Sequence, residues 1–121
     1  MVKTFGLTHI GLAVRDEERS LRFYRQVFGV RILWRGKGEI QVQTPGRRDV
    51  IAFVEMPRKA GKIGGVTHFG FRLTSPRDLD AAAKSVRRAG GQVLRRGEFV
   101  PGEPYLFVED PDGYEVEIWY E

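Results

Sequence analysis

The sequence predicts an α+β fold assembled from two successive β-α-β-β-β modules, on three observations. Two stretches about half a chain apart repeat nearly the same words, Thr8-His9-Ile10-Gly11-Leu12 and Thr67-His68-Phe69-Gly70-Phe71, and self-similarity of that kind marks duplicated units. Each is followed by an amphipathic segment carrying helix start and stop signals. Each helix is then followed by three short strand-like runs separated by Gly- and Pro-containing turns.

The first module opens with a strand over residues 7–14. Asp16 suits the N-cap of the next helix, Glu17 and Glu18 occupy the first turn where the helix dipole favours anions, and Gly29 suits the C′ position. Leu21, Tyr24 and Phe28, with Val27 beside them, form the apolar stripe of a helix of about three turns. Residues 30–35 read as a strand and Gly36-Lys37-Gly38 as a tight turn. Residues 39–44 read as a second strand, in which Ile40 and Val42 alternate with Gln41 and Gln43. Pro45-Gly46 turns the chain into a strand over residues 49–55.

The pattern restarts after Pro57-Arg58-Lys59-Ala60-Gly61-Lys62-Ile63-Gly64-Gly65, which has the composition of a connector. Its Gly61-Lys62 is no phosphate loop, because Ile63 stands where Ser or Thr is needed. Beyond the His68 strand, Ser75 caps a helix with Pro76 at its first position; Leu79, Ala82, Ala83, Val86 and Ala89 make its stripe and Gly90-Gly91 end it. Strands follow over 92–96 and 104–109. Asp110-Pro111-Asp112-Gly113 fits a type I turn, and residues 114–121 form the last strand. The expected organisation is one domain, with residues 1–56 as the first module, 57–65 as connector and 66–121 as the second module.

Composition narrows the function classes. The chain has 121 residues, 41% hydrophobic and 30% charged, as in an ordinary globular domain. No apolar run reaches membrane-spanning length and residues 1–14 read as strand rather than a cleavable leader, so a cytoplasmic protein is expected, with no membrane partner. There is no Cys, so any metal must be held by His and carboxylates. The net charge of +4 permits anionic ligands, but the basic residues are interleaved with sixteen acidic ones rather than clustered, which argues against nucleic acid.

The chain's two histidines lie in the duplicated strands. On a strand each shares a face with the Gly two residues on, while Ile10, Leu12 and Val14, or Phe69, Phe71 and Leu73, share the apolar face. Gly inside a strand often marks the close approach of a ligand or another backbone. In the last strand Val116 and Ile118 face one way and Glu115, Glu117 and Trp119 the other. Superposing the modules pairs Val50-Ile51-Ala52-Phe53 with Glu115-Val116-Glu117-Ile118, so Glu117 corresponds to Ala52.

Thr-His-Ile-Gly-Leu-Ala-Val, the helix from Asp16 to Gly29, Val66 to Leu73 and Asp110 to Ile118, in this order and spacing, resemble the vicinal oxygen chelate superfamily. That superfamily includes glyoxalase I, fosfomycin-resistance transferases, bleomycin-resistance proteins, extradiol dioxygenases and methylmalonyl-CoA epimerase. The resemblance covers essentially the whole chain. It implies two βαβββ modules forming a U-shaped mixed sheet around a metal site, with helices outside. It implies one divalent metal per site (Fe, Mn, Ni or Zn) with His9, His68 and Glu117 as ligands. It also implies a homodimer, in which each site lies within one chain or takes His9 from the partner subunit.

Departures from the family's members matter too. Ala52 stands where glyoxalase I carries a fourth ligand, Phe107 where extradiol dioxygenases carry a Tyr, and Gly11 where fosfomycin transferases carry a Thr. Two functions fit. One is a glyoxalase- or dioxygenase-like metalloenzyme (lyase, isomerase or dioxygenase) that chelates vicinal oxygens of a small substrate and stabilises an enolate or oxyanion. The other is a small-molecule or antibiotic binding or resistance protein that uses the same cup without catalysis. Gln41, Gln43, Arg72, Tyr105, Phe107 and Trp119 are candidate substrate-lining residues. Glu115, on the face of Glu117, is a candidate base. Arg95 and Arg96 could bind a carboxylate or phosphate, but read better as a solvated strand end.

Overall fold

The computed structural model describes residue 1, residue 3 and residues 5–121. The chain divides into two compact units, Met1–Ala60 and Gly61–Glu121, and the division falls within the Pro57–Gly65 stretch. Each unit is a four-stranded mixed sheet with one α-helix, so the fold is α+β.

In the first unit β1 is His9–Val14, α1 Glu17–Phe28, β2 Arg31–Gly36, β3 Glu39–Gln43 and β4 Val50–Glu55, with sheet order β1-β4-β3-β2. Residues 7 and 8 precede the strand rather than opening it, although the Val50 amide still donates to the Thr8 carbonyl at 3.0 Å. The α1 caps are those expected. The Asp16 side chain accepts from the Arg19 amide, and Gly29 ends the helix at φ 67, a left-handed conformation that suits Gly. Asp49 fastens the turn before β4 by accepting from both the Thr44 amide and hydroxyl.

In the second unit β5 is Phe69–Arg72, α2 Leu79–Arg88, β6 Gln92–Glu98, β7 Pro104–Glu109 and β8 Glu115–Trp119, with sheet order β5-β8-β7-β6. The helical segment begins as a short 3-10 turn, Pro76–Asp78, whose Ser75 cap accepts from the Arg77 amide, before the α-helix proper. His68 lies one residue ahead of β5. The strand β8 ends at Trp119, although the Tyr120 amide still donates to the Pro104 carbonyl at 3.1 Å, in register with β7. The turn before β8 is held twice over: Gly113 donates to the Asp110 carbonyl, and the Asp110 carboxylate accepts from the Asp112 and Tyr114 amides.

Register makes the duplication explicit. In both units the first strand pairs parallel with the last, which then runs antiparallel to the third, and the third to the second. Across the first sheet Gly11, Ala52, Gln41 and Trp34 stand opposite one another in turn; across the second, Gly70, Glu117, Phe107 and Arg95 do. One residue further along the first strand, Leu12, Phe53, Ile40 and Arg35 match Phe71, Ile118, Leu106 and Arg96. Even the register shift is repeated, between Ile32 and Trp34 and again between Val93 and Arg95, so that Leu33 and Leu94 are the inserted residues of equivalent bulges.

The apolar faces meet the helices. In the first unit Val14, Ile40, Val42 and Phe53 are fully buried with Phe23 and Tyr24 of α1, and the Tyr24 and Phe53 rings lie 5.0 Å apart. In the second, Leu106, Val108, Val116 and Ile118 are buried with Leu79, Ala83 and Val86 of α2. The Arg35 guanidinium pairs with Glu18 on α1, and Arg96 pairs with Asp80 beside α2's N-terminus at 2.8 Å. These pairs raise the Arg35 pKa and hold the Asp80 carboxyl below its usual range. Pairs this exposed are screened by solvent and contribute little, against roughly 1.5–3 kcal/mol for each large apolar side chain buried. The apolar layer therefore holds each helix on its sheet, and the ion pairs orient it.

Glu17, at the start of α1, has a carboxylate oxygen buried without a hydrogen-bond partner. Desolvation, then the neighbouring charges of Glu55 and Glu18, push its pKa above the ordinary 4.5. A raised carboxyl pKa means that folding favours the protonated form. The cost is absent below pH 4.5, where both states are protonated, and is present in full once pH has risen past the folded-state value. Glu17→Gln should therefore melt higher than wild type at neutral pH, with the gap closing as pH falls toward 4.5. A gap that is constant with pH, measured by thermal denaturation across that range, would contradict the assignment to Glu17.

Candidate metal and substrate site

The parallel pairing of β5 with β8 sets Gly70 opposite Glu117, and the residue before β5 is His68. Two consequences follow on the sheet face turned away from α2. The imidazole of His68 reaches the carboxylate of Glu117, with Nε2 and Oε2 3.4 Å apart. Gly70 leaves the space they need: a Cβ there would lie 3.3 Å from both the Glu117 carbonyl oxygen and Trp119 Nε1. Glu117 is largely buried, its side chain 14% exposed, whereas His68 is 38% exposed and stays open to a ligand.

Either tautomer of His68 can pair with Thr67, whose hydroxyl both donates and accepts. His68 Nδ1 lies 3.0 Å from the Thr67 hydroxyl. A ring protonated at Nε2 accepts from that hydroxyl and turns its N–H toward Glu117. One protonated at Nδ1 instead donates to the hydroxyl and turns a lone pair on Nε2 toward Glu117. Two acceptors 3.4 Å apart repel unless a proton or a cation lies between them, and an imidazole and a carboxylate are suitable donors for a divalent transition metal. His9 repeats the motif with Nδ1 3.4 Å from the Thr8 hydroxyl.

The same face of the second unit gathers most of the expected lining residues. Phe107, opposite Glu117, lies edge-on to the His68 ring with centroids 5.1 Å apart. Tyr105 packs against Phe107 at 5.7 Å and Phe99 at 4.6 Å, and its ring fills the space beside Gly97, where a Cβ would come within 2.7 Å of the hydroxyl. Arg72 donates to the Glu121 carbonyl and lies 6.0 Å from the Trp119 ring. Glu115 shares the parity of Glu117 but is paired with Arg95 at 2.8 Å.

His9, Gln41 and Gln43 belong to the first unit, where Gln41 stands opposite Ala52 and donates to Glu39 at 2.9 Å. Among the described residues no three His, Asp or Glu side chains gather closely enough to hold an ion. The structure thus brings together two of the three expected ligands, His68 and Glu117.

The family model described as "Glyoxalase/Bleomycin resistance protein/Dioxygenase superfamily" matches residues 6–118. The chain belongs to this superfamily. The lactoylglutathione lyase of Haemophilus influenzae is 32% identical over 93% of this chain and 90% of its own length. The catechol-2,3-dioxygenase of Bacillus subtilis is 29% identical over 93% of this chain but only 41% of its own length. Among solved structures, the genomically encoded fosfomycin resistance protein FosX of Listeria monocytogenes aligns with a TM-score of 0.80 at 20% identity, over all of this chain and 95% of that one, a likeness of fold.

As a superfamily member the chain has one site-facing residue that reading by alternation misplaces. Strict alternation along Val93-Leu94-Arg95 puts Arg95 on the helix side with Val93. The bulge at Leu94 reverses it, and the Arg95 guanidinium lies 4.0 Å from the centre of the Phe107 ring, on the face of His68 and Glu117.

The two duplicated glycines differ in what surrounds them, and this is testable. Among the described residues nothing lies within 4 Å of a Cβ at Gly11, whereas one at Gly70 presses on the Glu117 backbone. Gly70→Ala should lower the melting temperature and Gly11→Ala should leave it nearly unchanged. Equal effects would show that the close approach at Gly70 is relieved at no cost.

Proposed function

We propose that this protein is a glyoxalase- or dioxygenase-like metalloenzyme acting on a small molecule that carries vicinal oxygens. The observation that carries this reading is the convergence of His68 Nε2 and Glu117 Oε2 on the face lined by Tyr105, Phe107 and Trp119. In this reading His68, Glu117 and His9 hold one divalent ion (Fe, Mn, Ni or Zn), as the family resemblance implies. The ion, when bound, supplies Lewis acidity toward the substrate's oxygens. Glu117 brings a negative charge from a largely buried position and Thr67 fixes the His68 ring. Phe107 and Tyr105 give the substrate an apolar wall that excludes water. Glu115 is the candidate to accept a proton, once it is released from Arg95.

Lyase, isomerase and dioxygenase chemistries all remain within this class. The family's name, and relatives named lactoylglutathione lyase and catechol-2,3-dioxygenase, support an enzyme. Ala52 opposite Gly11 makes the site three-ligand. The chain is proposed to act in the cytoplasm as a homodimer, with His9 supplied from the same chain or from the partner. No helix among the described residues is long and apolar enough to cross a membrane, and Leu33 and Trp34 on the outer strand β2 are half exposed, as a covered edge would require. Light scattering should give twice the chain mass at micromolar concentration.

Metal that binds only the folded state stabilises it, by about 3 kcal/mol at a hundredfold excess over Kd. Adding Mn, Ni, Zn or Fe(II) to chelator-treated protein should raise the melting temperature. His68→Ala should abolish that rise, and Glu117→Gln should reduce it because an amide is a poorer ligand. Glu115→Gln should have little effect on it. Ala52→Glu should tighten Zn or Ni binding by adding a carboxylate. No rise with any of the four ions, or a larger loss for Glu115→Gln than for Glu117→Gln, would overturn the proposal.

A further inference from the structure

We infer that the second unit carries another small-molecule site, on the helix side of its sheet, and that its ligand is a free α-amino acid with an apolar side chain. The inference does not rest on the metal site. The β6 residues that build the recess, Arg96 and Glu98, face the opposite way from His68 and Glu117.

The recess lies between the start of the helical segment, Pro76 to Asp80, and the far ends of β6 and β7, and encloses about 320 Å³. Arg96 belongs to the row that faces the helix, and two residues later Glu98 faces the same way, opposite Pro104. The hairpin beyond closes with the Phe99 amide donating to the Glu103 carbonyl at 3.0 Å. Gly102 turns it at φ 89, so no side chain obstructs that rim. Ligand pockets run from about 300 to 1,000 Å³. A recess at the small end of that range suits a single amino acid rather than a longer chain.

The charges that line the recess are not equivalent. Arg96 and Asp80 neutralise one another at 2.8 Å. Among the described residues, neither the Arg77 guanidinium nor the Glu98 carboxylate has a hydrogen-bond or ion-pair partner. Arg77 is nevertheless anchored at its backbone, where Pro76 restricts the chain and the Ser75 hydroxyl accepts from the Arg77 amide at 3.3 Å.

An unpaired guanidinium selects a carboxylate, which its planar fork binds bidentately. An unpaired carboxylate in the same recess rejects a plain anion and selects a cation, and an ammonium offers it three donors. A bare phosphate or a divalent cation would each meet a like charge, and such clashes are how sites discriminate. The ligand that satisfies both groups carries both charges close together, as an α-amino acid does. Leu79, only 5% exposed, joins Pro76 and Pro104 to make the rest of the wall apolar. That wall favours an apolar side chain over a polar one.

The test is a titration of L-leucine into the chelator-treated full chain near neutral pH, following backbone amide resonances by NMR. Arg77, Glu98 and Gly102 should shift saturably. Leucinamide, which lacks the carboxylate, and isocaproate, which lacks the ammonium, should each bind at least about tenfold more weakly. Arg77→Met should weaken leucine binding about ten- to a hundredfold, the range of a hydrogen bond to a charged group, and Glu98→Gln should weaken it about tenfold or more. Arg87→Met, an equal loss of charge in the last turn of α2, should leave it unchanged. The inference is overturned if L-leucine does not bind or shifts other residues instead, or if either analogue binds as tightly. It is overturned equally if Arg77→Met or Glu98→Gln binds as wild type does, or if Arg87→Met costs as much as Arg77→Met. No metal is present in this titration, so it is decided separately from the metal-dependent melting shift.

Discussion

The pairing on which each unit depends is the parallel one between its first and last strands. Parallel neighbours cannot be joined by a hairpin, so the whole of each unit, helix and two further strands, is the connection between them. What that pairing brings together is the Thr-His-X-Gly segment and the strand four elements later. In the second unit the result is His68 beside Glu117 with Gly70 making room, and the Asp110-to-Gly113 turn secures it by delivering β8 in register. Lose that register by one residue and Glu117 turns into the apolar layer while Val116 faces the site.

Most of this architecture was legible because the relevant signals are local. Asp16, Gly29, Ser75 and the Asp110 turn each act within a few residues, and each helix or turn formed where its own signals placed it. Alternation put Glu117 and Trp119 on one face of β8 and Val116 and Ile118 on the other. The pairing of Glu117 with Ala52 across modules came from similarity alone, and the register of both sheets gives the same equivalence, through Gly70 and Gly11.

What stayed illegible was non-local. Arg95 and Arg96 read alike from the sequence; what separates them is the bulge at Leu94, which depends on pairing with β7 and leaves no mark in the residues around it. Nor did parity distinguish Glu115 from Glu117, which share a face. Their partners do: Arg95 for the first and His68 for the second. That distinction needs the strand order, which brings β5 to one side of β8 and carries β6 beyond β7 on the other.

The two units, compared row by row, indicate which parts of the duplicated frame are constrained by packing and which are not. The row facing the helix is conserved in kind: Leu12, Phe53, Ile40 and Arg35 in one unit, Phe71, Ile118, Leu106 and Arg96 in the other, with both arginines paired to a carboxylate on the helical segment. A buried apolar layer tolerates little change in volume or polarity, which accounts for the agreement. The neighbouring row faces away from the helix and has diverged at three of its four positions: Ala52 against Glu117, Gln41 against Phe107, Trp34 against Arg95. Only the glycines agree. Glu117, Phe107 and Arg95 set a carboxylate, an aromatic ring and a cation side by side on one unit, where the other has a methyl group, an amide and an indole. Helix packing demands none of them, so this row was free to differ between the units where the helix-facing row was not.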